Sequence, residues 1–178
     1  AVAGRLELVE ADMVDLALPA AGTFGLAFIA LNSLFLLDGR AAQEKAIATL
    51  AGHLAPGGIA ALDIWLPEPD DLARFDGRLV LDYVRTDPAT GSRVTKITGA
   101  RFDPARASVE LTVIYEEGTD GMPPVRWVRQ DTLRLVGTDE LEAMVERAGL
   151  VIEEIAGDHD LRPLGPGSER VVVVARRG

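Results

Sequence analysis

Two apolar runs, residues 24–31 (FGLAFIAL) and 59–66 (IAALDIWL), flank a stretch of helical periodicity, and this arrangement constrains the fold more than any other feature of the chain. A strand that is apolar at nearly every position needs cover on both faces. Parallel sheets of α/β proteins provide that cover, whereas half-solvated antiparallel sheets do not. Between the runs, Ile47, Leu50 and Leu54 repeat at helical spacing. Asp38 or Gly39 opens this helix, and Pro56-Gly57-Gly58 is expected to stop it at about Ala55. Strand, helix and strand with short joints predict a right-handed crossover unit of a doubly wound sheet.

The period changes between residues 77 and 137. Val109, Leu111, Val113 and Tyr115 alternate with Glu110, Thr112, Ile114 and Glu116, as in a half-buried strand. Looser alternation runs through residues 79–84, 94–98 and 125–135, with turn chemistry at Asp87-Pro88, Asp103-Pro104 and residues 118–124. These segments predict an antiparallel insert of about four strands lying toward the carboxyl edge of the main sheet. The helix–sheet pattern then resumes. Thr138 is expected to cap a helix with the stripe Leu141, Met144, Val145 and Ala148, which ends at Gly149. Residues 151–155 and 170–175 read as the last two strands, and residues 5–10 (RLELVE) as a short first one. The division expected is a core of residues 1–76 and 138–178 interrupted by an insert of residues 77–137.

A length of 178 residues fits one domain with a real core. The formal charge of −10 repels phosphate backbones and anionic membranes, so a nucleic-acid or membrane partner is disfavoured. The chain has no cysteine, which excludes thiolate chemistry and Cys-bound zinc. His53 and His159 are too few and too distant for a His-based metal site, so no metal is expected. The longest apolar stretch is broken by Asn32 and Ser33 and is too short for a membrane span, and a cytoplasmic location is expected. The chain opens Ala1-Val2-Ala3-Gly4 without an initiator Met and reads as the later part of something longer.

Three features together resemble class I, Rossmann-like S-adenosylmethionine-dependent methyltransferases of the small-molecule type. One is Val9-Glu10-Ala11-Asp12-Met13, followed by the strand ending Leu31-Asn32-Ser33. Another is Leu54-Ala55-Pro56-Gly57-Gly58 leading into the strand that reaches Asp63. The third is residues 139–149 (DELEAMVERAG), a strand, a loop, and Ser168-Glu169-Arg170 before VVVVAR. The resemblance implies an α/β fold: the C-terminal portion of a doubly wound methyltransferase sheet with an antiparallel β insert, its last strand running antiparallel between its neighbours. The family's glycine-rich loop and ribose-binding acid have no counterpart in these residues. On that ground the piece as it stands is expected to be inactive and to bind cofactor poorly, with residues 5–10 left without a native neighbour.

The resemblance also assigns site residues. Asp12 and Met13 fall beside the adenine of S-adenosylmethionine, the Asp12 carboxylate accepting from the exocyclic amine and the next N–H donating to the ring. Read from the residues alone, the alternative is a strand-end Asp capping a turn, and the context favours the adenine role. Leu31 and Asn32 fall near the methionine end of the cofactor, and otherwise read as a strand terminus finding backbone partners. Trp65 is either a pocket wall or core. Tyr115, Trp127 and Arg129 line a lid, or simply pack across strands. His159, flanked by Asp158 and Asp160, is a candidate general base or a solvated loop residue. No catalytic triad can be assembled. Methyl transfer needs alignment and exclusion of water more than a fixed acid or base. The expected function is therefore methyl transfer to a small acceptor such as an amine or hydroxyl, with a homodimer through an exposed sheet edge. Two alternatives are a non-catalytic interaction domain descended from a methyltransferase and a nucleotide-sugar or nicotinamide protein. The latter is disfavoured by the final strand pair.

Overall fold

A computed structural model describes residues 6–119 and 121–178. The elements in chain order are β1 (Phe24–Ile29), α1 (Gly39–His53), β2 (Leu54–Trp65), α2 (Pro69–Ala73), β3 (Asp76–Thr86), β4 (Arg93–Asp103), β5 (Ser108–Gly118), β6 (Val125–Arg134), α3 (Thr138–Arg147), β7 (Leu150–Ala156) and β8 (Arg170–Arg177). A single 3₁₀ turn, Ser33–Leu36, follows β1.

β1 and β2 are parallel and joined through α1, which is the predicted crossover. The Pro-Gly-Gly segment does more than end the helix. α1 already stops at His53, and β2 starts at Leu54. The register then jumps from Phe24–Leu54 to Leu26–Ile59, so residues 55–58 bulge out of the ladder. Gly57 supplies the left-handed φ of +77° that this bulge requires, and Gly58 lies so close to β1 that a Cβ would sit 2.8 Å from the Phe24 carbonyl oxygen.

The strand order is β1-β2-β8-β7, with β8 antiparallel to both neighbours, as expected for the last strand. α3 opens one residue earlier than expected. Gly137, with φ −84° and ψ 170°, is the N-cap, and Thr138 is already helical. At the other end Gly149 does occupy a left-handed position, with φ +78°.

The first predicted strand is absent. Residues 6–10 have no regular structure, and Leu6, Leu8 and Val9 are exposed, while Arg5 lies outside the described residues. Alternation alone does not make a strand. It needs a ladder partner for its N–H and C=O groups, and none of the described strands pairs with this segment. The same deficit denies β1 two-sided cover and leaves the exposed apolar sheet edge expected of the piece as it stands. Ile29 is buried and Ala27 packs on the core, but Leu26 and Phe28 stay 58% and 68% exposed. β1 is the edge of its sheet, and only one of its faces is covered.

The strands between Asp76 and Arg134 form a second, antiparallel sheet in simple up-and-down order. It shares the core of the first: Val109, Leu135 and Val136 bury against the same cluster as Ile47 and Leu50 of α1 and Leu141 and Met144 of α3. Fully buried Gln43 of α1 fastens the two parts. Its Nε2 donates to the carbonyls of Leu34 and Arg134, at 3.0 and 3.1 Å, and its Oε1 accepts from the Arg134 guanidinium at 2.6 Å. Leu34 lies in the turn just past β1, so this sheet stands at the carboxyl edge of the main one.

Candidate active site

The carboxyl ends of β1 and β2 meet in a tight polar knot. Past Ile29 the chain turns through two consecutive left-handed residues, Leu31 with φ 56° and Asn32 with φ 62°. Asn tolerates this region, but Leu adopts it at a cost of roughly 1–2 kcal/mol, so the turn must be held from outside. Asp63 Oδ2 accepts from the Leu31 N–H at 3.3 Å, and Asn32 Oδ1 accepts from the Trp65 N–H at 2.6 Å. The Ser33 hydroxyl closes the turn onto the Ala30 carbonyl at 2.7 Å.

Asp63 is the centre of the knot and is only 7% exposed. Arg170, at the start of β8, donates to its Oδ1 at 2.5 Å, and His159 Nε2 lies 3.3 Å from its Oδ2. Burial pushes the Asp63 carboxyl upward, but the Arg170 guanidinium, the Leu31 N–H and His159 together outweigh it and hold the group below its ordinary value. His159 Nε2 is also 3.2 Å from Arg170 Nη1. A guanidinium only donates and a carboxylate only accepts, so this nitrogen engages Asp63 when protonated and Arg170 when bare. The imidazole is largely exposed. Its acidic partner is thus Asp63 from another strand, not the adjacent Asp158, whose carboxylate serves Arg162 and the N–H groups of Asp160 and Arg162.

Leu31, Asn32, Trp65 and His159 therefore converge, all tied to Asp63 or to its strand. Trp65 also packs on Phe75, with ring centroids 6.0 Å apart. Tyr115 and Trp127 are direct cross-strand partners on the second sheet, with Arg129 two residues further along the same face and paired with Asp131 at 2.7 Å. Asp12 and Met13 sit elsewhere, in a turn fastened to α1. Asp12 Oδ1 accepts from the Val14 N–H at 2.9 Å, the Val14 carbonyl accepts from the Thr49 hydroxyl at 2.8 Å, and Leu18 N–H donates to His53 Nε2 at 3.1 Å. Met13 lines a cavity of about 220 Å³ with Phe24, Leu26, Phe28 and His53, open along the uncovered edge of β1. Asp12 thus caps a turn, and that turn walls an apolar groove beside β1.

Sequence reasoning did not assign Asp63 or Arg170 to the site. Asp63 had a signal, because it is an ionisable residue inside an otherwise apolar strand run and so requires a partner. Arg170 had none beyond its place before VVVVAR.

A strand order with a reversed final strand inserted beside the crossover unit defines the Rossmann-like methyltransferase architecture. The comparisons agree. A methyltransferase from Clostridium acetobutylicum, described as S-adenosylmethionine-dependent, superposes with a TM-score of 0.77 at 17% identity, over 99% of this chain and 67% of that one. The sugar N-methyltransferase KedS8 from a Streptoalloteichus species gives a TM-score of 0.71 at 21% identity, over 94% of this chain and 61% of that one. In sequence the chain is 29% identical over 180 residues to a cypemycin N-terminal methyltransferase from a Streptomyces species. That match takes in 97% of this chain and 65% of the relative, so the chain spans about two thirds of the relative's length. No protein-family model matches.

Proposed function

We infer that the protein containing this chain is an S-adenosylmethionine-dependent methyltransferase acting on a small acceptor. The observation that carries this reading is the knot around Asp63, which fixes a strained Leu31–Asn32 turn at the carboxyl edge of a methyltransferase-type sheet, where open α/β sheets bind ligands. The bound cofactor supplies an activated methyl group. Leu31 and Asn32 present the edge of β1 to its methionine end, and Asp12 and Met13 wall its adenine. Trp65, with Tyr115, Trp127 and Arg129 of the second sheet, bounds the acceptor pocket and excludes water. His159 stands where it can take a proton from an acceptor, with Asp63 holding the ring.

An amine acceptor is supported by the relatives, one named for an N-terminus and another for a sugar nitrogen. The charge of −10 supports a non-nucleic-acid substrate. No helix among the described residues is long and apolar enough to cross a membrane. A cytoplasmic location completes the reading. The uncovered edge of β1 is a pairing surface for a second copy.

Calorimetric titration of the full-length protein with S-adenosylhomocysteine tests the assignment. Asp12→Ala should weaken binding by roughly 1.5–3 kcal/mol, the worth of one charge-assisted bond. A variant that loses melting temperature but keeps its affinity leaves Asp12 as a turn cap only. Absence of binding by the unmodified protein favours the non-catalytic interaction domain.

A further inference from the structure

Arg170 does more than neutralise Asp63. Its Nη1 donates to Asp63 Oδ1 at 2.5 Å and also directs a hydrogen at His159 Nε2, 3.2 Å away and in hydrogen-bond geometry. Asp63 Oδ2 approaches the same ring nitrogen to 3.3 Å, but this oxygen already accepts from the Leu31 N–H. The carboxylate is therefore served on both oxygens, and the ring nitrogen is the acceptor that the second Nη1 hydrogen meets. The acids beside His159 in its own loop do not compete for the ring, since Arg162 engages both Asp158 and Asp160, at 2.9 and 3.1 Å. A guanidinium only donates, so Nε2 is bare in this arrangement. A neutral ring then carries its one proton on Nδ1.

We propose that Arg170 is a positioning residue that selects the tautomer of His159 and keeps the base of the site switched off at rest. With Nε2 held by Arg170, the other ring nitrogen is an N–H donor and takes no proton. The ring becomes a base only in its second neutral form, with Nε2–H donating to Asp63 Oδ2 and Nδ1 bare. The imidazole is 61% exposed, so exchange with water makes the change: Nδ1 releases a proton to solvent and Nε2 takes one up. A protonated amine drives that exchange, because a cation donates to a bare nitrogen and is repelled by an N–H. Proton transfer to Nδ1 then leaves a neutral amine with its lone pair free and an imidazolium whose Nε2–H rests on Asp63. A hydroxyl accepts from Nδ1–H and leaves the resting tautomer in place. The site thereby separates a cationic amine from a hydroxyl before any methyl group moves. This consequence rests on the reading of His159 as the base of a methyltransferase, whereas the resting tautomer does not.

Long-range proton–nitrogen correlation spectra of the full-length protein at about pH 9, where free imidazole is neutral, read which ring nitrogen carries the proton. His159→Gln identifies the His159 signals. His53 is an internal reference whose tautomer the fold fixes: its Nδ1 lies 2.7 Å from the Thr49 carbonyl oxygen, and its Nε2 accepts from the Leu18 N–H at 3.1 Å. His53 and His159 of the unmodified protein should both show Nδ1–H, and this spectrum tests the proposal whether or not any variant folds. Arg170→Met removes the donor and should move the His159 tautomer ratio toward Nε2–H by on the order of 10-fold or more, with His53 unchanged. Asp63→Asn breaks the same ion pair but leaves the guanidinium, and should keep Nδ1–H. A proton on Nε2 of His159 in the unmodified protein, no shift in Arg170→Met, or equal shifts in the two variants overturns the proposal. The spectra need no cofactor, so the Nδ1–H form in a protein that binds no S-adenosylhomocysteine upholds the tautomer and defeats the catalytic reading.

Discussion

Replacing Gln43 should separate the two sheets energetically before it harms either one. Gln43 is wholly buried and makes three hydrogen bonds, to the Leu34 carbonyl, the Arg134 carbonyl and the Arg134 guanidinium. Gln43→Met keeps the volume and removes the bonds. Two neutral bonds at about 1 kcal/mol each and one charged bond at about 1.5 kcal/mol would sum to roughly 3.5 kcal/mol. Arg134 keeps Glu140 at 2.7 Å, and the Leu34 carbonyl keeps the Leu37 N–H at 3.4 Å. These surviving contacts reduce the loss to about 2–3 kcal/mol. For a chain of this length each kcal/mol moves the melting temperature by about 2–4 °C, so the variant should melt roughly 4–12 °C lower. Hydrogen exchange distinguishes this mechanism from general loosening. Amides at the Arg134 end of β6 and in the turn Ser33–Leu36 should exchange faster, while those of β2 and β8 should change little. A melting shift below about 2 °C, or acceleration spread evenly over both sheets, would refute the argument that this side chain couples them.

Asp63→Asn tests the knot through pH. The folded carboxyl titrates below its unfolded value of about 3.9, so its stabilisation is present above that value and is lost as pH falls through the folded one. The gap in melting temperature between native protein and variant should be full at pH 7 and should close below about pH 4; an equal gap at both ends removes Asp63 from that linkage. At the bulge, Gly57→Ala should cost about 1–2 kcal/mol for its left-handed φ alone, since the space around it is open. Gly58→Ala forces a Cβ onto the backbone oxygens of Phe24 and Ala55 and should cost more than Gly57→Ala, about 2–3 kcal/mol, with urea midpoints giving the order; the reverse order would show that the β1–β2 approach is looser than described.

The crossover unit and the antiparallel strands were legible because each is written in a local period, near-continuous apolar runs, an amphipathic helix and two-residue alternation, whereas the reversal of the last strand was implied by the family resemblance alone. What was not legible required a partner distant in sequence. Residues 6–10 alternate correctly, yet make no strand, because pairing is a property of two segments. The Pro-Gly-Gly segment reads as a helix stop from its composition, and only the approach of β1 shows why its two glycines do different work, one for φ and one for space. Gln43 was legible in principle. It lies four residues before Ile47 on the buried stripe, and a polar side chain in that position requires buried partners, but those partners lie 9 and 91 residues away. The site shows the same division. Asn32, Trp65 and His159 were each singled out for local reasons. What gathers them is the carboxylate of Asp63, buried at the end of an apolar strand and neutralised by an arginine 107 residues later. A buried carboxylate with one partner is a strut. This one also restrains a strained turn and touches an exposed imidazole. Removing the arginine should therefore release the turn and the loop that carries His159 together, and faster hydrogen exchange in both segments of an Arg170→Ala variant would check that shared dependence, on which the proposed site at the carboxyl edge rests.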